Sequence, residues 1–143
     1  MSISHTPTIA LVGNPNSGKT ALFNALTGGR QKVANYAGVT VEKKEGLAAL
    51  ADGRRLRVLD LPGTYSLRAR SPDEAVTRDA VLGRIAGERA PDVVVCVADA
   101  TNLGLVLRLA LELKATGRPL VFVLNMIDIA ERQGIVILSL IHI

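Results

Sequence analysis

The octapeptide at residues 13–20, GNPNSGKT, constrains the fold of this chain more than any other feature. It fits the pattern G-x-x-x-x-G-K-[ST] and lies between an apolar run at residues 8–12 and a helical pattern at residues 19–27. Glycines let successive backbone N–H groups face phosphates, and a helix N-terminus adds positive potential. The octapeptide therefore predicts a phosphate-binding loop (the phosphate loop below) rather than a turn that merely links a strand to a helix.

Each side chain of this loop has an expected role. Lys19 would reach the β- and γ-phosphates, and the Thr20 hydroxyl would bind Mg²⁺. The residues expected to contact the nucleotide here are Gly13, Asn16, Ser17, Gly18, Lys19, Thr20 and Ala21.

A second motif, D-x-x-G, begins at Asp60, at the end of the predicted strand at residues 56–61, and occurs once in the chain. Asp60 would hold the Mg²⁺ shell, and the Gly63 amide would meet the γ-phosphate. The alternative for Asp60 is a turn carboxylate at the end of a strand. Its place after a strand, together with the phosphate loop, favours the metal site.

A third motif, N-x-x-D, spans residues 125–128 and follows a predicted buried strand. Within it, Asn125, Met126 and Asp128 are expected to contact the nucleotide. An Asp carboxylate there can accept two hydrogen bonds from guanine that adenine cannot offer, and a buried acceptor left unpaired rejects the wrong base. The alternative is that Asn125 and Asp128 cap the next turn. With all three motifs present, we expect the chain to bind GTP and GDP.

The remaining pattern predicts one α/β domain of three layers over the 143 residues. The mostly parallel sheet would contain one antiparallel edge pair, formed by residues 39–50 and 56–61 around a hairpin at Asp52 and Gly53. Residues 30–38 are expected to form a polar loop. Further helices are predicted at residues 71–86 and 103–115, and further strands at 93–98 and 120–124.

Composition excludes several functional classes. The net charge of +4 comes from basic residues interleaved with acidic ones, which is typical of a solvated surface rather than a nucleic-acid face. The single cysteine, Cys96, lies in an apolar run and predicts a buried, inert thiol in a reducing compartment. With no secretory signal and no run of about 20 apolar residues, we expect a soluble, cytoplasmic chain.

Six segments together carry a resemblance to a known family. They are residues 13–20 (GNPNSGKT), 35–44 (NYAGVTVEKK), 60–66 (DLPGTYS), 71–74 (SPDE), 99–102 (DATN) and 125–128 (NMID). Over about residues 8–134 the chain resembles the cytoplasmic N-terminal GTPase domain of the ferrous iron transport protein B family, a translation-factor-related GTPase. The resemblance implies the Ras-like G-domain version of the P-loop NTPase fold.

The resemblance also implies catalytic roles. Thr40 would complete the Mg²⁺ shell from switch I (residues 31–42), and Asn16 would help to hold K⁺ beside the phosphates. Together with Lys19 and Gly63, these residues form the expected catalytic set. Thr64, in switch II (residues 61–71), stands where Ras-like enzymes carry a water-orienting glutamine, so backbone groups would position the water. Slow, potassium-stimulated hydrolysis is expected.

By the same resemblance, the GTP cycle would regulate ferrous iron uptake across the bacterial cytoplasmic (inner) membrane. The expected partners are the helical and membrane permease parts of a full-length transporter, which could form a homo-oligomer, and no nucleic acid. The alternatives are a soluble GTPase that binds ribosomal RNA in ribosome assembly, an ATP-dependent P-loop kinase and a module that binds GTP without hydrolysing it.

The C-terminal end departs from the family pattern. Residues 135–143 form an atypical apolar tail, and His142 within it is not expected to be a ligand. We expect an incomplete G domain over residues 1–143, with its last strand and helix missing. Such a domain would be marginally stable and prone to aggregation. A cooperative melt at high temperature would contradict this expectation.

Overall fold

The computed structural model of the chain describes residues 6–125, in which strands and helices alternate. In chain order the elements are β1 (Thr8–Gly13), α1 (Lys19–Thr27), β2 (Lys32–Asn35), β3 (Glu42–Ala49), β4 (Arg55–Asp60), α2 (Pro72–Leu82), β5 (Val93–Asp99), a 3₁₀ turn (Leu103–Leu105), α3 (Leu107–Ala115) and β6 (Leu120–Asn125).

The six strands form one mixed sheet in the order β2-β3-β4-β1-β5-β6. The central strand β1 runs parallel to β4 and β5, and β6 runs parallel to β5. β3 is antiparallel to β4, and β2 is antiparallel to β3. The carboxyl ends of β1, β4, β5 and β6 therefore meet at one edge of the sheet, where a ligand of an open α/β sheet binds.

Helices cover both faces of the sheet, which confirms the predicted three layers. On one face, Phe23 of α1 packs with Leu11 and Val58. On the other, the buried residues of α2 and α3 pack with those of β1 and β5. Because β1 and β5 are buried on both faces, they are apolar over most of their length rather than alternating, as expected for parallel strands.

The structure corrects the predicted loop at residues 30–38, because this segment contains the edge strand β2. All four β2 residues are exposed, so the strand has no apolar face that periodicity could detect. Its backbone pairing with β3 defines it instead. The predicted antiparallel pair is confirmed as β3 and β4, and β2 adds a second antiparallel pairing outside it.

Helix boundaries follow local capping. Ser71 caps α2 as predicted, since its Oγ accepts a hydrogen bond from the Glu74 N–H at 3.2 Å, and Pro72 opens the helix. α2 ends at Leu82 rather than at residue 86, because Gly83 takes a left-handed conformation (φ 72°) that ends the helix. The helix predicted at residues 103–115 begins as a 3₁₀ turn.

Among the helices of residues 6–125, none is long and apolar enough to cross a membrane. The expectations of a missing last strand and helix and of an atypical tail at residues 135–143 lie outside the described residues.

Candidate functional site

The carboxyl edge of the sheet brings the three sequence motifs together. The phosphate loop follows β1, the D-x-x-G motif begins at the end of β4, and the N-x-x-D motif begins at the end of β6. β4 and β5 both pair with β1, and β6 pairs with β5. The strand topology thus juxtaposes segments that lie more than 100 positions apart in the sequence.

The phosphate loop is shaped by two residues with positive φ. Asn16 has φ 63° and Gly18 has φ 92°, and between them the Ser17 N–H donates to the Asn14 carbonyl at 3.2 Å. A Cβ on Gly18 would overlap Nδ2 of Asn125, so only glycine fits. These left-handed conformations curl the chain before α1 and turn backbone N–H groups into the loop.

Two buried polar side-chain atoms in the loop point to a ligand. Asn14 Oδ1 and Ser17 Oγ have no hydrogen-bond partner among residues 6–125, although both residues are buried. Gly13 is packed closely here, because a Cβ on it would lie 2.9 Å from Ser17 Oγ and 2.6 Å from the Val97 carbonyl oxygen. Since buried polar atoms are normally paired, this loop has the character of a binding site.

Lys19 and Asp60 form a buried ion pair at the centre of the site. The Lys19 Nζ donates to Asp60 Oδ1, and the two side chains are 10% and 4% exposed. Both residues line a cavity of about 490 Å³ that Thr20, Thr40 and Gly63 also line. The cavity thus brings together five residues that the sequence assigns to catalysis or to Mg²⁺: Lys19, Thr20, Thr40, Asp60 and Gly63.

The donor set of this cavity suits a magnesium ion. The Thr20 and Thr40 hydroxyls and the Asp60 carboxylate are hard oxygen ligands of the kind that Mg²⁺ prefers. One carboxylate with two hydroxyls leaves room for water and phosphate oxygens, which Mg²⁺ sites in nucleotide-binding proteins retain.

A second cavity, of about 460 Å³, is lined mostly by residues of the phosphate loop. Asn16 and Ala21 line it together with Gly18, Lys19 and Gly63. The two cavities share Lys19, Thr20 and Gly63, and the exposed residue Asn16 lines the second cavity but not the first.

Switch II passes directly against the phosphate loop. A Cβ on Gly63 would lie 3.1 Å from Pro15 atoms, and the Thr64 N–H donates to the Gly13 carbonyl at 2.9 Å. The Thr64 side chain is buried and turned away from the cavity: its Oγ1 lies 2.6 Å from the Ser66 carbonyl oxygen and 2.9 Å from Glu74 Oε2. In this conformation Thr64 has no hydroxyl free to orient water.

Further anchors of switch II were missed by sequence reasoning. Thr77 of α2, which is fully buried, donates its hydroxyl to the Pro62 carbonyl at 2.9 Å. Glu112 of α3 accepts hydrogen bonds from Ser66 Oγ and from the Leu67 N–H. No local signal marks Thr77 or Glu112, because each role depends on a contact across 15 or 45 positions.

In switch I, the core holds the two ends of an exposed turn. The buried side chains of Tyr36 and Val41 enter the same core as α2 and α3, and the Tyr36 N–H donates to the Val41 carbonyl at 3.0 Å. Burial, reinforced by the nearby Glu88 carboxylate, raises the pKa of Tyr36 from 10.0 to about 12. The turn between these two residues is exposed and carries Thr40. Sequence reasoning did not single out Tyr36.

The end of β6 contacts the phosphate loop. Asn125 donates its Nδ2 to the Ser17 carbonyl at 3.0 Å. The predicted base-contacting residues Met126 and Asp128 lie outside the described residues.

Cys96 lies in the core, away from this chemistry. It is fully buried, and burial raises the pKa of its thiol from 9.0 to about 12. The prediction of a buried thiol is confirmed, and because the thiolate is the reactive form, the raised pKa accords with an inert one.

Comparison with known proteins gives one family. The family model described as "Ferrous iron transport protein B" matches residues 7–139. The Fe(2+) transporters FeoB of Salmonella typhimurium and Escherichia coli are each 49% identical to the chain over 128 residues. That match covers 90% of this chain but only 16% of either transporter.

Solved structures agree. The G domain of the T. maritima FeoB transporter is 45% identical, with a TM-score of 0.79 and coverage of 90% of this chain and 77% of that one. A mutant of S. thermophilus NFeoB bound to GDP is 47% identical, with a TM-score of 0.81 and coverage of 92% and 49%. The FeoB G-domain from Methanococcus jannaschii is 42% identical, with a TM-score of 0.76 and coverage of 94% and 76%.

Proposed function

The chain belongs to the ferrous iron transport protein B family, and we therefore propose that it is a domain that binds and hydrolyses GTP. Its nucleotide cycle would regulate ferrous iron uptake by a longer protein. The observation that carries the proposal is the convergence of Lys19 and Asp60 in the cavity beside a phosphate loop with unpaired buried polar atoms. The GDP bound to the S. thermophilus relative supports the choice of nucleotide.

Phosphate binding rests on the backbone of the phosphate loop and on Lys19. The curled N–H groups and the N-terminus of α1 attract anions. The Lys19 ammonium is already buried beside the loop, so it can exchange its contact with Asp60 for phosphate oxygens. A charge held in a partly desolvated site contributes more than one in water.

Thr20, Thr40 and Asp60 would hold the magnesium ion. When bound, Mg²⁺ neutralises the charge that develops on the phosphates. Thr40 belongs to the exposed turn of switch I, so its contribution requires that this turn close over the nucleotide. The same closure would make the conformation of the domain surface depend on whether the γ-phosphate is bound.

Hydrolysis needs a positioned water and compensation of charge. The Gly63 amide would meet the γ-phosphate, and because the Thr64 hydroxyl is engaged with Ser66 and Glu74, backbone groups of switch II would orient the water. Asn16 would hold a potassium ion beside the phosphates, which predicts slow turnover that potassium stimulates.

Base selection falls to the N-x-x-D motif. Asp128 would accept hydrogen bonds from guanine, with Asn125 and Met126 beside it, and a site built on such acceptors discriminates strongly against adenine.

The test is phosphate release by the purified protein from GTP and from ATP, each in potassium and in sodium buffer. We expect release from GTP only, and faster release in potassium. Equal rates with ATP would refute the guanine assignment. Equal rates in both salts would refute only the role of Asn16 in holding potassium. The matched control is Asn16→Ala in sodium buffer, where that role cannot contribute to the rate.

The role in transport belongs to a longer polypeptide, because the chain spans only 16% of the length of its FeoB relatives. We propose that the full-length protein lies in the bacterial cytoplasmic membrane, with this domain on the cytoplasmic side, joined to helical and permease parts. Family membership disfavours the alternative in ribosome assembly. In a full-length protein, Lys19→Ala should abolish uptake of labelled ferrous iron while membrane levels stay normal. Undiminished uptake would contradict the regulatory role.

A further inference from the structure

Within residues 6–125, Glu112 on α3 is the side chain farthest along the sequence from switch II that forms hydrogen bonds to it. Its carboxylate lies 2.7 and 3.1 Å from Ser66 Oγ, and Oε2 accepts the Leu67 N–H at 3.0 Å. Because a hydroxyl carries one proton, Ser66 donates to one oxygen at a time while the Leu67 bond persists. The side chain is 26% exposed, so these charge-assisted bonds are partly shielded from water.

The Ser66 contact lies at the far end of a short, doubly anchored segment. At its near end, the Thr64 N–H donates to the Gly13 carbonyl in the phosphate loop. At its far end, Leu67 packs against the core formed with α2 and α3. Residues 64–67 are thus fixed between β1 and α3, and Gly63, which directly precedes them, lines the cavity that holds Lys19 and Asp60.

We propose that Glu112 is a positioning residue for GTP hydrolysis, which holds switch II so that the Gly63 amide faces the γ-phosphate. The proposal rests on the proposed function. Glu112 contacts the turn of switch II and lines neither of the two cavities beside the phosphate loop. Its loss should therefore slow the chemical step and leave the affinity for GDP, which lacks the γ-phosphate, unchanged.

Two substitutions separate positioning from packing. Glu112→Ala removes every acceptor, and we expect kcat to fall about tenfold, as the loss of a hydrogen bond to a charged group implies. Glu112→Gln keeps an acceptor for the Leu67 N–H and can donate to Ser66 Oγ, so kcat should stay within about threefold of the wild type.

Arg108→Ala is the matched control. Arg108 lies one turn before Glu112, with Nε 3.6 Å from its Oε1, and is 59% exposed. Its removal breaks this ion pair but leaves the bonds to switch II in place. Because exposed ion pairs contribute little, kcat should not change.

The experiment measures kcat and KM for GTP, the Kd of a fluorescent GDP analogue and the urea midpoint for the purified wild type and the three variants. A kcat of Glu112→Ala equal to that of the wild type would overturn the proposal. So would a GDP affinity that falls in parallel with kcat, or a Gln variant as slow as the Ala variant. A wild type that binds no GDP would refute the proposed function, and this proposal with it.

Discussion

The phosphate loop and switch II lie against each other but are held by different means. The loop is shaped within its own sequence, by positive φ at Asn16 and Gly18 and by a turn hydrogen bond between neighbours. Switch II has no regular secondary structure before Ser71 and is held by side chains of α2 and α3, Thr77 and Glu112 among them. The phosphate loop is shaped by its own residues, whereas switch II is held by hydrogen bonds to distant elements.

This difference separates what is rigid from what can move. A local turn keeps its shape as long as its residues are present, whereas a segment tied by a few exchangeable hydrogen bonds can exchange them when a ligand offers better partners. The loop is thus suited to binding and switch II to responding. Substitutions in the loop should cost affinity, and substitutions in the anchors of switch II should cost rate.

Lys19→Ala should give the largest effect, because Lys19 is the one charged side chain of the phosphate loop and its ammonium is buried beside Asp60. We expect the Kd for GTP with Mg²⁺ to rise at least about 100-fold, as the loss of charge-assisted hydrogen bonds implies. Isothermal calorimetry measures this change. Lys44→Ala, which alters a lysine lining the same cavity, is the control and should change Kd less than about threefold. Unchanged affinity in Lys19→Ala would refute the phosphate-loop assignment.

Gly18→Ala tests whether the loop is shaped locally. The added Cβ meets both an unfavourable positive φ and the Asn125 side chain, so we expect the free energy of unfolding to fall by about 2 to 3 kcal/mol. Gly87→Ala isolates the first of these causes, because Gly87 has φ 77° with no atom within 4 Å of a Cβ. It should cost about 1 kcal/mol. Equal urea midpoints for the two variants would show that the contact with Asn125 is unimportant.

Thr77→Val tests whether hydrogen bonds from distant elements hold switch II. The change keeps the shape of the side chain but leaves the buried Pro62 carbonyl without its donor, which should cost about 1 kcal/mol of stability. Thr116→Val is the comparison, since that hydroxyl bonds to Leu113 within the end of α3. It should cost only a few tenths of a kcal/mol at its more exposed site. The comparison fails if Thr116→Val is the more destabilising variant in urea.

Tyr36→Phe should give the smallest effect and extends the comparison to switch I. The pKa of Tyr36 is raised from 10.0 to about 12 in the folded protein, so the folded state favours the neutral phenol. Its contribution to stability is complete below pH 10 and is lost as the pH rises towards 12. Wild type should therefore lose more stability than Tyr36→Phe between pH 8 and pH 11, as urea titrations would measure. Parallel losses would mean that Tyr36 is not desolvated.

The same contrast explains what the sequence could predict. The phosphate loop, the hairpin at Gly53 and the cap at Ser71 follow from short patterns with local causes, and the structure contains all three. β2 could not be found, because it presents no buried face and exists through pairing with β3. The roles of Thr77 and Glu112 could not be predicted either. The sequence predicts the helices that carry these residues, but not their hydrogen bonds to switch II.

The hydrogen bond from Asn125 to the Ser17 carbonyl ties the strand that leads to the proposed base-recognition motif to the loop proposed for the phosphates. This contact fixes Asn125, the first residue of that motif, against the phosphate loop. Under the proposed function, a nucleotide would have to reach from the motif to the loop, so the site would select for length as well as for the base. We expect a guanine compound with too few phosphates to bind more weakly.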